Sequence, residues 1–155
     1  VFAIAAGFVL RAAGGAVAIS VPISPWLYVC TMLLALFLGF GKRRHELSVL
    51  QESAADHRAN LDAYSIPLLD QIISVVASAT VMAYSLYTFD APTVPDNHAM
   101  MLTIPFVVYA IFRYLYLVYR KDLGGSPEVL LVTDRPLLFC IIGWALTSTA
   151  ILYWA

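Results

Sequence analysis

Five stretches of apolar residues, 1–19, 25–40, 66–89, 100–118 and 136–155, alternate with polar ones along this chain. A helix needs about 20 mostly apolar residues to cross roughly 30 Å of hydrocarbon, and each stretch meets or approaches that length. They predict five transmembrane helices, an all-α integral membrane fold. The intervening segments differ in kind: 41–65 and 119–135 are basic, whereas 20–24 and 90–99 hold no Lys or Arg. With 61% hydrophobic and 12% charged residues, the chain is too apolar to cover itself with polar surface in water.

Of nine Lys and Arg residues, Lys42, Arg43, Arg44, Arg58, Arg120, Lys121 and Arg135 fall in the two basic segments. Cytoplasmic loops collect such residues, so both segments are expected on the cytoplasmic side and the Lys- and Arg-free ones outside. A net charge of −1 gives no reason to expect a nucleic-acid partner. The chain opens inside an apolar segment without an initiating Met, so upstream sequence is expected. Cys30 and Cys140 both lie in spans and read as reduced core residues, with neither metal spacing nor a disulfide framework.

Two arginines interrupt the apolar stretches. In the first, Gly7, Arg11, Gly14 and Gly15 share one helical face, whose small residues permit close helix approach. An intramembrane Arg is expected to face the bundle interior, paired with a carboxylate or carbonyls or turned to an anionic ligand. In the fourth, Tyr109, Arg113, Tyr116 and Arg120 recur at helical offsets and line one face. Arg113 lies about 10 Å deeper than Arg120 at 1.5 Å per residue. Snorkelling explains Arg120 without a ligand, an aromatic belt explains Tyr119, and Pro105 is expected to kink the outer half of this helix.

The segment GFGKRRHELSVLQESAADHRANLDAYSIP follows the second stretch. Its Leu47, Leu50, Ala54, Arg58 and Leu61 recur at helical spacing, as in a surface helix lying over the mouth of a bundle. Ser65 and Pro67 suit the start of the next helix as cap and early-turn proline. Lys42, Arg43 and Arg44 can serve topology alone, but Glu46 beside them adds a possible Mg²⁺ ligand to a set of phosphate-binding cations. His45 and His57 have no partner at zinc spacing and read as solvated or network histidines. In the second basic segment, Gly124, Gly125, Ser126, Pro127 and Glu128 read as a turn and a capped helix start, and Asp134 starts the last span in the same way.

The runs GFVLRAAGG, GKRRHEL, IPFVVYAIFRY and GGSPEVLLVTDRPLL resemble the UbiA prenyltransferase superfamily, in its polyprenyl-phosphate (decaprenyl-phosphate) phosphoribosyltransferase branch. The likeness covers nearly the whole chain. It implies that 1–155 is the C-terminal part of a single UbiA-type domain, helices five to nine of a nine-helix bundle. It further implies a multi-pass protein of the bacterial inner membrane with its active site facing the cytoplasm. The superfamily binds Mg²⁺ and diphosphate through two Asp-rich motifs. The first would lie upstream; in place of the second stand Lys42, Arg43 and Glu46.

Cations at that place suit a site that must bring several phosphate groups together. The resemblance therefore implies transfer of 5-phosphoribosyl from phosphoribosyl diphosphate to a membrane polyprenyl phosphate, with release of pyrophosphate, in cell wall biosynthesis. Lys42, Arg43 and Glu46 are the expected catalytic residues. Arg11, Arg58, Arg113, Tyr116 and Arg120 are the expected substrate-binding ones, and Glu46 is a possible Mg²⁺ ligand beside a main site upstream. Spans lined by Gly and Ala are expected to leave a groove for the prenyl tail. Two other readings fit the residues less well: a UbiA-type aromatic prenyltransferase of quinone biosynthesis, and a non-enzymatic transporter or scaffold. The segment alone is expected to be inactive.

Overall fold

A computed structural model of the chain describes residues 1–20, 24–53, 65–92, 94–121, 123 and 125–154. Among these, all regular structure is helical: α1 (Phe2–Ala18), α2 (Pro25–Ser53), α3 (Ile66–Asp90), a 3₁₀ turn (Ala99–Thr103), α4 (Ile104–Arg120), α5 (Pro127–Thr133) and α6 (Arg135–Trp154). Four helical stretches, Pro25–Gln51, Ile66–Asp90, Ala99–Arg120 and Arg135–Trp154, are long and apolar enough to cross a membrane. The fifth expected span, α1, is apolar but shorter, at 17 residues.

The longest helix departs most from the reading above. The hydropathy boundary at Phe40 is not a helix boundary: α2 continues through the basic run to Ser53. Lys, Arg, Glu and Leu are good helix formers, so a helix can leave the apolar zone without ending. The helical spacing of Leu47 and Leu50 thus belongs to α2 itself, while Ala54, Arg58 and Leu61 lie outside the described residues. Gly41 does not break the helix, and it lies beside Tyr114, whose ring and hydroxyl would be in ordinary van der Waals contact, at 3.5 Å, with a Cβ built there.

α2 and α3 pack antiparallel along most of their length, and Phe37, Leu69, Ile73, Tyr114, Leu117 and Leu137 tie α2, α3, α4 and α6 into one core. Ser65 caps α3 as expected, its hydroxyl accepting from the Leu68 N–H at 3.3 Å. Pro105 sits in the first turn of α4, after the 3₁₀ turn, where it opens the helix instead of kinking its outer half. At the far end, Trp26 donates to Asp90 at 2.7 Å, and Tyr84 Oη lies 2.7 Å from both Thr103 Oγ1 and Trp144 Nε1.

α1 rests on α2 through Ala5 and Val9, its two buried residues. It starts beside Phe40, where the Phe2 ring meets the Phe40 ring edge-on at 6.1 Å. Gly7, Gly14 and Gly15 face away from that contact, with nothing within 4 Å of a Cβ built on any of them. The expectation that this glycine face and Arg11 turn into the bundle is therefore not met among the described residues. Arg11 is exposed, its guanidinium 5.7 Å from the Phe8 ring of its own helix.

Candidate functional site: the basic end of the bundle

Antiparallel packing brings both basic segments to the same end of the molecule. The second half of α2, the start of α3, the last turns of α4 and α5 meet there, with Leu47 and Leu130 buried in the common core. The His45 ring lies against the second segment so closely that a Cβ on Gly125 would come within 2.5 Å of its Cδ2. The absence of a side chain at 125 thus lets the imidazole lie directly against the second segment. Ser126 precedes α5 but makes no side-chain cap; its carbonyl oxygen accepts from the Val129 and Leu130 N–H groups instead.

The arginines here have different surroundings. Arg44 donates through Nε to Asp70 Oδ1 at 2.6 Å, and its guanidinium lies 4.5 Å from the Tyr119 ring centroid, so one side chain from α2 joins α3 and α4. Arg113 donates Nε and Nη2 to the two oxygens of Asp134 at 3.0 and 2.9 Å, in the bidentate geometry that guanidinium and carboxylate favour. Asp134 Oδ2 also accepts from the Leu137 N–H at 3.1 Å, capping α6. The Arg113 hydrogen bonds, helped by that cap, hold the Asp134 carboxyl below its ordinary value. Arg113 was expected to face a substrate; its hydrogen bonds hold the α5–α6 corner to α4.

Lys42 is exposed and has no ion pair among the described residues. Arg43 and Glu46, one helical turn apart, lie 3.3 Å from each other with side chains 43% and 45% exposed, an open pair that an incoming ligand can displace at little cost. Arg120 and Tyr116 are exposed on α4, and the Tyr116 ring lies 5.1 Å from the Arg113 guanidinium. Arg58 lies outside the described residues. Lys42, Arg43 and Glu46 therefore share one end with Arg120, whereas Arg11 is two turns and more up α1.

Sequence reasoning did not find the two carboxylate partners. Asp70 is the one charged residue of 66–89, and an acid inside an apolar span calls for a partner; that signal was present. Asp134 was legible as a helix start but not as the partner of Arg113, which lies 21 residues away. Among the described residues no group of three His, Cys, Asp or Glu side chains could hold a metal ion. The described residues thus do not form a magnesium site by themselves; Glu46 offers one carboxylate.

Fold and site define an all-α protein with helices suited to a membrane and a cationic end built from two segments. Comparison with known proteins agrees with that class. The chain is 29% identical over 161 residues to the decaprenyl-phosphate phosphoribosyltransferase of Mycolicibacterium smegmatis, covering 98% of this chain and 50% of that protein. It is 30% identical over 147 residues to the protein of that name from Mycobacterium tuberculosis, covering 95% and 48%. The Corynebacterium glutamicum protein of that name is 29% identical over 153 residues, covering 97% and 46%. The chain is a homologue of these decaprenyl-phosphate phosphoribosyltransferases along nearly its full length, and it spans about half the length of the relatives it matches. No protein-family model matches it.

Proposed function

We propose that this chain is the C-terminal half of an enzyme that transfers 5-phosphoribosyl from phosphoribosyl diphosphate to a membrane polyprenyl phosphate. In this reading its helices are the fifth to ninth of a nine-helix bundle in the bacterial inner membrane, and the basic end faces the cytoplasm. The observation that carries it is the open cationic end, Lys42 beside the Arg43–Glu46 pair, in a chain homologous along its length to enzymes of that name.

A phosphate oxygen of the lipid attacks carbon 1 of the ribose, the new C–O bond replaces the one to pyrophosphate, and pyrophosphate leaves. The lipid phosphate is already anionic near neutral pH, so no general base is needed. Bringing two anions together is the difficulty, and fixed cations at the meeting point lower that barrier. Lys42 and Arg43 fill this role, with Arg120, Arg11, Arg58 and Tyr116 proposed as further substrate contacts. Arg113 acts with Asp134 to hold the corner beside them. Magnesium belongs to the proposal as a cofactor, and Glu46 would offer it one carboxylate.

The test is product formation by membranes containing the full-length protein. One arm supplies labelled phosphoribosyl diphosphate and polyprenyl phosphate, the other prenyl diphosphate and 4-hydroxybenzoate, each with Mg²⁺ and with EDTA. A lipid-linked phosphoribosyl product that EDTA abolishes is expected. Prenylated aromatic product alone would transfer the assignment to aromatic prenyl transfer, and no product in either arm would reject both enzyme readings.

A further inference from the structure

The last helix has two opposite sides. At about 100° per residue, Leu137, Cys140, Ile141 and Trp144 gather on one side of α6, and Arg135, Phe139, Ile142 and Leu146 on the other. The first set lines a cavity shared with α2, α3 and α4. Gly and Ala were expected to line such a space; Leu, Phe and Ile side chains supply much of its wall, and the Tyr114 hydroxyl beside it is buried without a hydrogen-bond partner among the described residues. The second set is open, with Phe139, Ile142 and Leu146 exposed at 69%, 45% and 67%.

This outer stripe starts at a cation. Arg135 is exposed and has no ion pair among the described residues. The carboxylate next to it in sequence is already engaged, since Asp134 accepts two hydrogen bonds from Arg113 and one from the Leu137 N–H. Arg135 is also the first residue of α6, at the positive end of the helix dipole, where an arginine gains nothing from its own helix. The rise from Arg135 to Leu146 is about 16 Å at 1.5 Å per residue, close to one leaflet of a hydrocarbon core roughly 30 Å thick.

Other helices show by contrast what is special here. On α3, Leu68, Val75, Met82 and Phe89 make an exposed apolar stripe of similar kind, but the charged residue near its start is an acid, Asp70. On α4, Tyr109, Phe112 and Tyr116 lead to Arg120, a cation that the proposed reaction already uses. We propose that the outer side of α6 binds one anionic phospholipid of the leaflet at the basic end, its phosphate on Arg135 and an acyl chain along Phe139, Ile142 and Leu146. A guanidinium favours phosphate oxygens through charge-assisted hydrogen bonds. A zwitterionic lipid carries a cation of its own beside the phosphate and competes less well for this one. The surface lies opposite the cavity, and the inference does not depend on the proposed activity.

Photo-labelling of the full-length protein in phosphatidylcholine nanodiscs tests it without turnover. The probe is a trace of phosphatidylglycerol with a diazirine on one acyl chain. Label is expected to saturate and to concentrate in residues 139–146, and unlabelled phosphatidylglycerol is expected to displace it at mole fractions where phosphatidylethanolamine does not. Arg135→Gln should lower label in this peptide about fivefold, the weight of one cation facing an anionic lipid. Its label in 66–89 and its thermal midpoint should match those of the native protein.

Label spread evenly over α3, α4 and α6 would reduce the stripe to ordinary annular surface and overturn the site, as would an Arg135→Gln variant that labels like the native protein. Absence of label from 139–146 would overturn it by showing the stripe covered by other protein. Displacement by polyprenyl phosphate but not by phosphatidylglycerol would overturn it in favour of the acceptor lipid. None of these results touches the transfer reaction, and a protein without transferase activity that gave the expected labelling would keep the site.

Discussion

Arg44 and Arg113 differ from Lys42 and Arg120 in what the fold asks of them, although all four stand at the same end of the bundle. The first two are tied to carboxylates on other elements, Asp70 on α3 and Asp134 between α5 and α6, with donor–acceptor distances between 2.6 and 3.0 Å. Lys42 and Arg120 are exposed and have no ion pair among the described residues. A cation already neutralised by a carboxylate must give up that partner before it can bind a phosphate; an exposed one gives up only water. The first pair therefore builds the end of the bundle, and the second is available to an anionic ligand.

The largest effect expected from this division is at Lys42. If the proposed function holds, Lys42→Ala in the full-length protein should lower phosphoribosyl transfer at least about tenfold, since loss of one charge-assisted phosphate contact costs about 1.5–3 kcal/mol. The thermal midpoint should stay where it was. Unchanged turnover in this variant would erase the distinction between the two classes of cation.

Next comes Asp134→Asn, which keeps the amide-sized cap on α6 but cannot hold Arg113 through two carboxylate oxygens. The native carboxyl is held below its ordinary 3.8 by Arg113. A carboxylate whose folded value is depressed contributes stability above its unfolded value and loses it as pH falls through the folded one. The variant should thus unfold at a lower temperature than the native protein at pH 7, and the gap should close as pH falls below about 4. Thermal unfolding at both pH values measures this; a gap unaffected by acid would mean the ion pair contributes nothing.

Gly125→Ala should have a smaller effect. Its new methyl would enter the His45 ring at 2.5 Å. The imidazole can swing, so a destabilisation of about 1 kcal/mol, the low end for overpacking, is expected. His45→Ala in the same molecule should relieve much of it, and a double-mutant cycle with no coupling would show that the two segments do not meet here.

Much of this was legible in the sequence, and the remainder has a physical cause. The apolar stretches located the helices, because that signal is local, and the described parts of the two basic segments lie at one end of the bundle. The boundary at Phe40 failed since hydropathy reports where a helix leaves apolar surroundings, not where its hydrogen bonds stop; α2 runs on to Ser53. Arg11 was read as buried because charge in an apolar helix usually is, yet α1 packs through Ala5 and Val9 on the opposite face. Lys42, Arg43 and Glu46 were found as a local cluster. Tyr114 was passed over, since nothing in the spacing of IPFVVYAIFRY marks a hydroxyl left without a partner.

Arg44 is the sharpest test of the comparison because it neighbours Arg43 in sequence and has the same side chain, so composition and charge cannot separate them. Its side chain is 16% exposed and that of Asp70 37%, and solvent around the carboxylate weakens the pair. Arg44→Ala should therefore cost only about 0.5–1 kcal/mol of stability, while phosphoribosyl transfer stays within about twofold of the native enzyme. Arg44→Lys keeps the charge but loses the flat guanidinium over Tyr119, and it should recover part of that stability. A loss of activity in Arg44→Ala as large as in Lys42→Ala, with the thermal midpoint unchanged, would place Arg44 among the ligand-binding cations. The Asp70 pair would then have to open in the working enzyme.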